Sequence, residues 1–112
     1  MNRNGNQRFE DTRLIRHTAV FRLKHARGSS AEFDFLQTAK ILANIPGVDR
    51  FEQLRQVSPK NDFTFCFLFE FADQAAYDVY NEHPDHVAFV RDRWVAEVEA
   101  FMELDYVMLD ES

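Results

Sequence analysis

The stretch Phe63-Thr64-Phe65-Cys66-Phe67-Leu68-Phe69-Glu70-Phe71 does more than any other to limit what this chain can fold into. Five Phe share one parity, and Thr64, Cys66, Leu68 and Glu70 share the other. A helix would scatter the rings around its circumference, whereas a strand gathers them on one face. A face of five large rings must be covered by a second layer. With 112 residues, 46% of them hydrophobic, the chain has material for one domain with a single core.

The remaining segments supply the covering layer. Leu14 to Leu23 reads as a strand with Ile15, His17, Ala19, Phe21 and Leu23 on one parity and Leu14, Arg16, Thr18, Val20 and Arg22 on the other. Ser29 and Glu32 have capping-box spacing and open a helix running to about Asn44. Its apolar stripe is Phe35, Leu36, Ala39, Leu42 and Ala43, and Pro46-Gly47 ends it. Val48 to Val57 is a second, less buried strand, and Ser58 to Asp62 is a turn. Asp73 caps a helix through about Glu82. Pro84 breaks that helix at His83 and opens the next, which is expected to reach about Ala100 with Val87, Val90, Trp94 and Val98 as its stripe. Phe101 to Leu109 is the last strand, with Met102, Leu104, Tyr106 and Met108 on one face.

The order β-α-β-β-α-β predicts an α+β, ferredoxin-like fold: a four-stranded antiparallel sheet with its helices on one face and the second helix broken at His83-Pro84. The domain is expected over residues 13–109, between a disordered polar tail at 1–12 and a short tail at 110–112. The Phe row belongs under the helices. The other sheet face carries Val20, Cys66 and Leu68 beside polar neighbours, a mixture that marks an interface. Two such faces in contact give a homodimer in the form of a shared α/β barrel.

Composition narrows the function. The formal net charge of −6, with no basic stripe, argues against a nucleic-acid partner. One cysteine, Cys66, forms no internal disulfide, and residues 1–11 have no apolar signal-like run. No stretch has the length of a membrane span. The expected setting is cytoplasmic, with no membrane partner.

The sequence resembles the stress-responsive A/B barrel domain (Dabb) family of the dimeric α/β-barrel superfamily. The likeness runs from Leu14 to about Leu109. It is carried by Ile15-Arg16-His17-Thr18-Ala19-Val20-Phe21, Ile45-Pro46-Gly47, Ser58-Pro59-Lys60, Phe69-Glu70-Phe71 and, most specifically, Tyr80-x-x-His83-Pro84-x-His86-x-x-Phe89-Val90. The resemblance implies a homodimer and no obligatory cofactor. One branch of the family contains a plant polyketide cyclase that closes a ring by aldol condensation. Its acid/base pair maps onto Tyr80 and His86, and a pocket histidine maps onto His17. The chain departs from the pattern in lacking a glycine near Leu54 and in the bulk of its Phe row.

Read from the residues themselves, His86 lies in the first turn of the helix that Pro84 opens. There the positive end of the helix dipole favours a neutral imidazole, the form a general base needs. Tyr80 is placed to donate a hydrogen bond to a developing enolate. The plainer alternative is that the two only fix the helix corner. His17, Ala19, Phe21, Phe67, Phe89 and Trp94 are the expected lining of a small apolar pocket. A hydrogen-bonded core histidine is the plainer role for His17. His83 and His86 lack an evident third ligand, so no metal site is expected. Arg91, Asp92, Arg93, Glu97 and Glu99 read as a solvated face.

These readings lead to a homodimer that binds, or performs cofactor-free acid/base (cyclase- or lyase-like) chemistry on, a small apolar carbonyl-containing molecule. The rivals are a non-catalytic stress-response or structural dimer and a cofactor-free monooxygenase. A cavity filled by Phe65, Phe67 and Trp94 favours the structural rival.

Overall fold

Residues 13–109 are described by the computed structural model, so the expected tails at 1–12 and 110–112 lie outside the described residues. Strand β1 spans Ile15–Leu23, β2 Arg50–Arg55, β3 Phe65–Phe71 and β4 Val98–Tyr106. They form one sheet in the order β2-β3-β1-β4, with every neighbouring pair antiparallel. This is the four-stranded α+β, ferredoxin-like arrangement expected from the element order. Helix α1 (Ser30–Thr38), a 3-10 extension (Ala39–Asn44), α2 (Gln74–Glu82) and α3 (Pro84–Phe89) supply the second layer.

The alternation in β3 survives intact: Phe65, Phe67, Phe69 and Phe71 are buried, while Cys66, Leu68 and Glu70 are half-buried on the other face. Phe21 and Phe35 join Phe67, Phe69 and Phe71 among the fully buried rings. Each contributes about 1.5–3 kcal/mol by leaving water. Phe51 of β2 covers the row from the side, with ring centroids 5.4 Å from Phe67 and 4.8 Å from Phe69.

Phe63 departs from the expected row because it precedes the strand. Asn61 Oδ1 accepts its N–H at 2.9 Å and Gln56 donates to its carbonyl at 2.7 Å, so the turn claims both backbone groups. At the start of α1, Ser29 Oγ accepts the Glu32 N–H, as a capping box requires. The Glu32 carboxylate reaches back to the Gly28 N–H at 2.9 Å, one residue earlier than the cap. The first helix ends before Gly47, whose φ of +95° suits glycine.

The end of the last helix is the main correction. The expected helix to Ala100 stops at Glu97. After α3 the chain widens into a π-helical segment, Val90–Trp94, closed by Val95 N–H bonding the Val90 carbonyl, and one α-turn follows at Val95–Glu97. Val98 is extended and pairs with Leu23, so it is buried as a strand residue rather than as part of a helical stripe. Strand pairing with β1 takes the residues that the helical pattern had claimed.

The solvated-face reading also fails in part. Arg93 holds Glu97 on its own segment and Asp34 and Thr38 on α1, and His25 bonds Glu97 at 2.7 Å. This cluster ties the loop after β1 to the end of the second helical run. Arg91 and Asp92 do pair on the exposed surface.

Candidate active site

A cavity of about 450 Å³ lies between the sheet and the helices. Its apolar walls come from Ala19, Leu42, Phe67, Phe69, Phe89 and Trp94. Its polar end carries His17, Tyr80, Asn81, His86 and Glu103. Phe21, expected in the lining, lies behind it instead: it is wholly buried, with ring centroids 5.6 Å from Phe65, 4.7 Å from Phe67 and 4.9 Å from Trp94. The Phe row forms a wall without filling the space. Phe65 is absent from the lining, and Phe67 and Trp94 form part of the wall around the open space.

The corner at Pro84 builds the site. His83 is extended, and its Nδ1 accepts the Asp85 N–H at 3.1 Å, capping α3. Capping of α3 thus falls to His83 and leaves His86 free of that role. His86 is turned back over the end of α2, and its Nδ1 lies 3.0 Å from the Asn81 carbonyl oxygen. A carbonyl only accepts, so Nδ1 carries the hydrogen and Nε2 keeps its lone pair for the cavity. Burial lowers the pKa of His86, outweighing the opposing pull of the Asn81 carbonyl, with His17 also lowering it and Glu103 raising it. The ring is thus held neutral.

Tyr80 stacks obliquely on His86, with centroids 4.5 Å apart, and lies 6.4 Å from His17 by the same measure. It is 2% exposed, and among the described residues its hydroxyl has no hydrogen-bond partner. Burial, then the neighbouring Tyr77 and Glu103, push its pKa well above the usual phenol range, so the hydroxyl remains a donor. A buried, unpaired donor at the polar end of an apolar cavity is costly for a scaffold and useful for a ligand.

Among the residues that sequence reasoning missed, two hold His17 in place. Asp105 lies opposite His17 in the β1–β4 register, and its Oδ1 is 2.6 Å from His17 Nδ1. Tyr77 enters from α2, with its hydroxyl 2.9 Å from Asp105 Oδ2 and 2.9 Å from His17 Nδ1. Burial, then the Asp105 hydrogen bond, raise the Tyr77 pKa above the usual phenol range. Glu103 Oε1 stands 4.0 Å from His17 Nε2. Tyr77 carried a signal in its i, i+3 spacing from Tyr80, whereas Asp105 required the strand register.

Among the described residues no group of three or more His, Cys, Asp or Glu is arranged to hold a metal ion. No helix among them is long and apolar enough to cross a membrane. On the far face of the sheet, Val20, Cys66 and Leu68 are half-buried, and burial raises the Cys66 thiol pKa.

The model of the stress responsive A/B barrel domain family matches residues 15–108. A ferredoxin-like Dabb family protein from Mesorhizobium loti is 66% identical, with 87% of this chain and 98% of that one covered and a TM-score of 0.86. A hydroxynitrile lyase from Passiflora edulis shares the fold at 17% identity, with 90% and 98% covered and a TM-score of 0.73. A dimeric ferredoxin-like protein of unknown function from Thermobifida fusca does so at 17% identity, with 86% and 92% covered and a TM-score of 0.71. No curated protein matches. The chain belongs to the stress-responsive A/B barrel domain family.

Proposed function

We propose that this protein is a homodimer whose subunits each use the cavity to bind a small, uncharged carbonyl compound and move protons on it without a cofactor. The observation that carries the reading is the buried Tyr80 hydroxyl, unpaired among the described residues, beside the neutral His86 ring at the polar end of an otherwise apolar cavity. His86 Nε2 takes a proton from a carbon or oxygen of the ligand. The electron pair moves toward the carbonyl oxygen, where the Tyr80 hydroxyl donates a hydrogen bond to the growing charge. The volume suits a ligand of modest size. The lyase of the same fold is one example of lyase chemistry in this architecture. The open cavity favours this reading over a purely structural dimer.

Dimerisation rests on the outer sheet face and on dimeric proteins of the same fold. The strand registers line up Leu54, Cys66, Val20 and Met102 in one apolar row across all four strands. The next row is Glu52, Leu68, Thr18 and Leu104. A continuous apolar strip of this kind is a natural surface for a second copy.

Trp94 is the single tryptophan and lines the cavity, so its fluorescence reports occupancy. Titration with acetophenone and related neutral aryl ketones is expected to give a saturable change in emission. Ala19→Leu, which places bulk in the wall, is expected to abolish it. An unchanged signal across the series would refute the ligand-binding reading.

A further inference from the structure

We infer that His17 is a second proton acceptor in this cavity, held in its Nδ1–H form by Asp105 and Tyr77, which act as positioning residues. The inference rests on the acid–base reading of the cavity and adds a base to it.

The sheet itself brings the three groups together. His17 and Asp105 are directly opposed on β1 and β4, so their side chains leave the same face side by side. Phe69 backs the imidazole, with centroids 5.3 Å apart, and the His17 side chain is 7% exposed. A carboxylate offers only acceptors, so the 2.6 Å contact between Asp105 Oδ1 and Nδ1 places the hydrogen on Nδ1. Tyr77 donates its own hydroxyl hydrogen to Asp105 Oδ2. Both carboxylate oxygens are thus engaged and the ring cannot rotate freely. The remaining nitrogen, Nε2, belongs to a residue that lines the cavity, and at 4.0 Å Glu103 is too far to bond it.

The step is a simple proton transfer. The Nε2 lone pair takes a proton from an acidic C–H or O–H of the ligand, and the bonding electrons stay on the ligand as an enolate or alkoxide. Nδ1–H is retained throughout, and the Asp105 carboxylate stabilises the imidazolium without taking its proton. Return of the proton to another ligand atom restores the neutral ring. His17 and His86 flank Tyr80, at 6.4 and 4.5 Å between ring centroids. Two acceptors around one donor suit a reaction that removes a proton at one atom and delivers one at another. Charge on His17 disfavours charge on His86, so the two bases act in turn.

The tautomer is read in the free protein by ¹⁵N–¹H correlation of the histidine side chains, with no substrate needed. The expected wild-type pattern for His17 at pH 8 is a protonated Nδ1 and an unprotonated Nε2. In Asp105→Ala the Tyr77 hydroxyl, already 2.9 Å from Nδ1, becomes its donor, and the hydrogen is expected to move to Nε2. In Asp105→Ala/Tyr77→Phe neither partner remains, and a mixture is expected. A wild-type His17 protonated on Nε2, or a tautomer unmoved by Asp105→Ala in a folded protein, would overturn the proposal. Should Asp105→Ala fail to fold, the wild-type spectrum still decides. On a ketone that the wild type turns over, Asp105→Ala is expected to lower kcat by about 10²-fold with little change in KM. Failure of the cavity reading is separate: wild type would show the expected tautomer yet bind and turn over no neutral ketone.

Discussion

Replacing Tyr80 with Phe separates a functional hydroxyl from a structural one, because the two roles predict opposite signs. The residue is 2% exposed, and among the described residues its hydroxyl is unpaired. The ring itself is well supported, lying 5.1 Å by centroid from both Phe69 and Phe71, and Tyr80→Phe preserves those contacts. What is removed is one buried donor without a protein partner, a defect worth about 1–3 kcal/mol when left wholly dry. The cavity beside it has room for water, which recovers part of that cost, so about 1 kcal/mol of stabilisation is expected. For a domain of this size that corresponds to a rise in Tm of about 4–8 °C. The assay is thermal denaturation of wild type and variant at one fixed protein concentration, since the proposed dimerisation would make Tm depend on concentration. Turnover of a neutral ketone should fall at the same time. A drop in Tm of several degrees would refute the reasoning, because it would mean that the hydroxyl makes a bond that holds the fold.

Other expectations follow from the same geometry. The folded-state pKa of His86 is depressed, so its contribution to stability is present above the ordinary imidazole value of about 6.5 and is lost as pH falls from there through the folded value. Thermal scans should show that loss, and His86→Phe should remove it; because the neutral ring is the base, the acid limb of kcat/KM should lie below about 6.5. Leu68→Asp puts a carboxylate on the outer face beside its register partner Glu52 and near Glu70 on its own strand, and should weaken the dimer by at least about 100-fold, measured by light scattering. Glu103 lies at the polar end of the cavity, with no Lys or Arg among the described lining residues, so benzoylacetate should bind more weakly than acetophenone by Trp94 fluorescence, and Glu103→Gln should narrow the gap.

Much of this architecture is legible in the sequence because it depends on short-range pattern. The parity of Phe65 to Phe71 selects their face, and the His83-Pro84 step sets the corner that brings His86 over Tyr80. What escaped depends on register. Read alone, Glu103 and Asp105 are alternating acids on a final strand, indistinguishable from a solvated edge. Only the pairing of β4 with β1 puts Asp105 against His17, and that pairing begins at Val98, where helical spacing had predicted a helix. Phe21 shares the parity of His17 and Ala19, yet Trp94 and Phe67 close over it, because parity selects a face and not a depth. Glu97 reads as surface charge until His25 and Arg93 are seen to converge on it from different elements.

The proposed chemistry has His86 and Tyr80 moving protons on a ligand in the cavity. Its most direct test is the rate at which the methyl protons of acetophenone exchange with deuterium in D₂O, followed by proton NMR. Wild type should accelerate exchange above the buffer rate. His86→Ala should reduce that acceleration by about 10²–10⁴-fold while leaving the dimer intact, and Tyr80→Phe should reduce it less. Equal acceleration by wild type and His86→Ala would contradict the account.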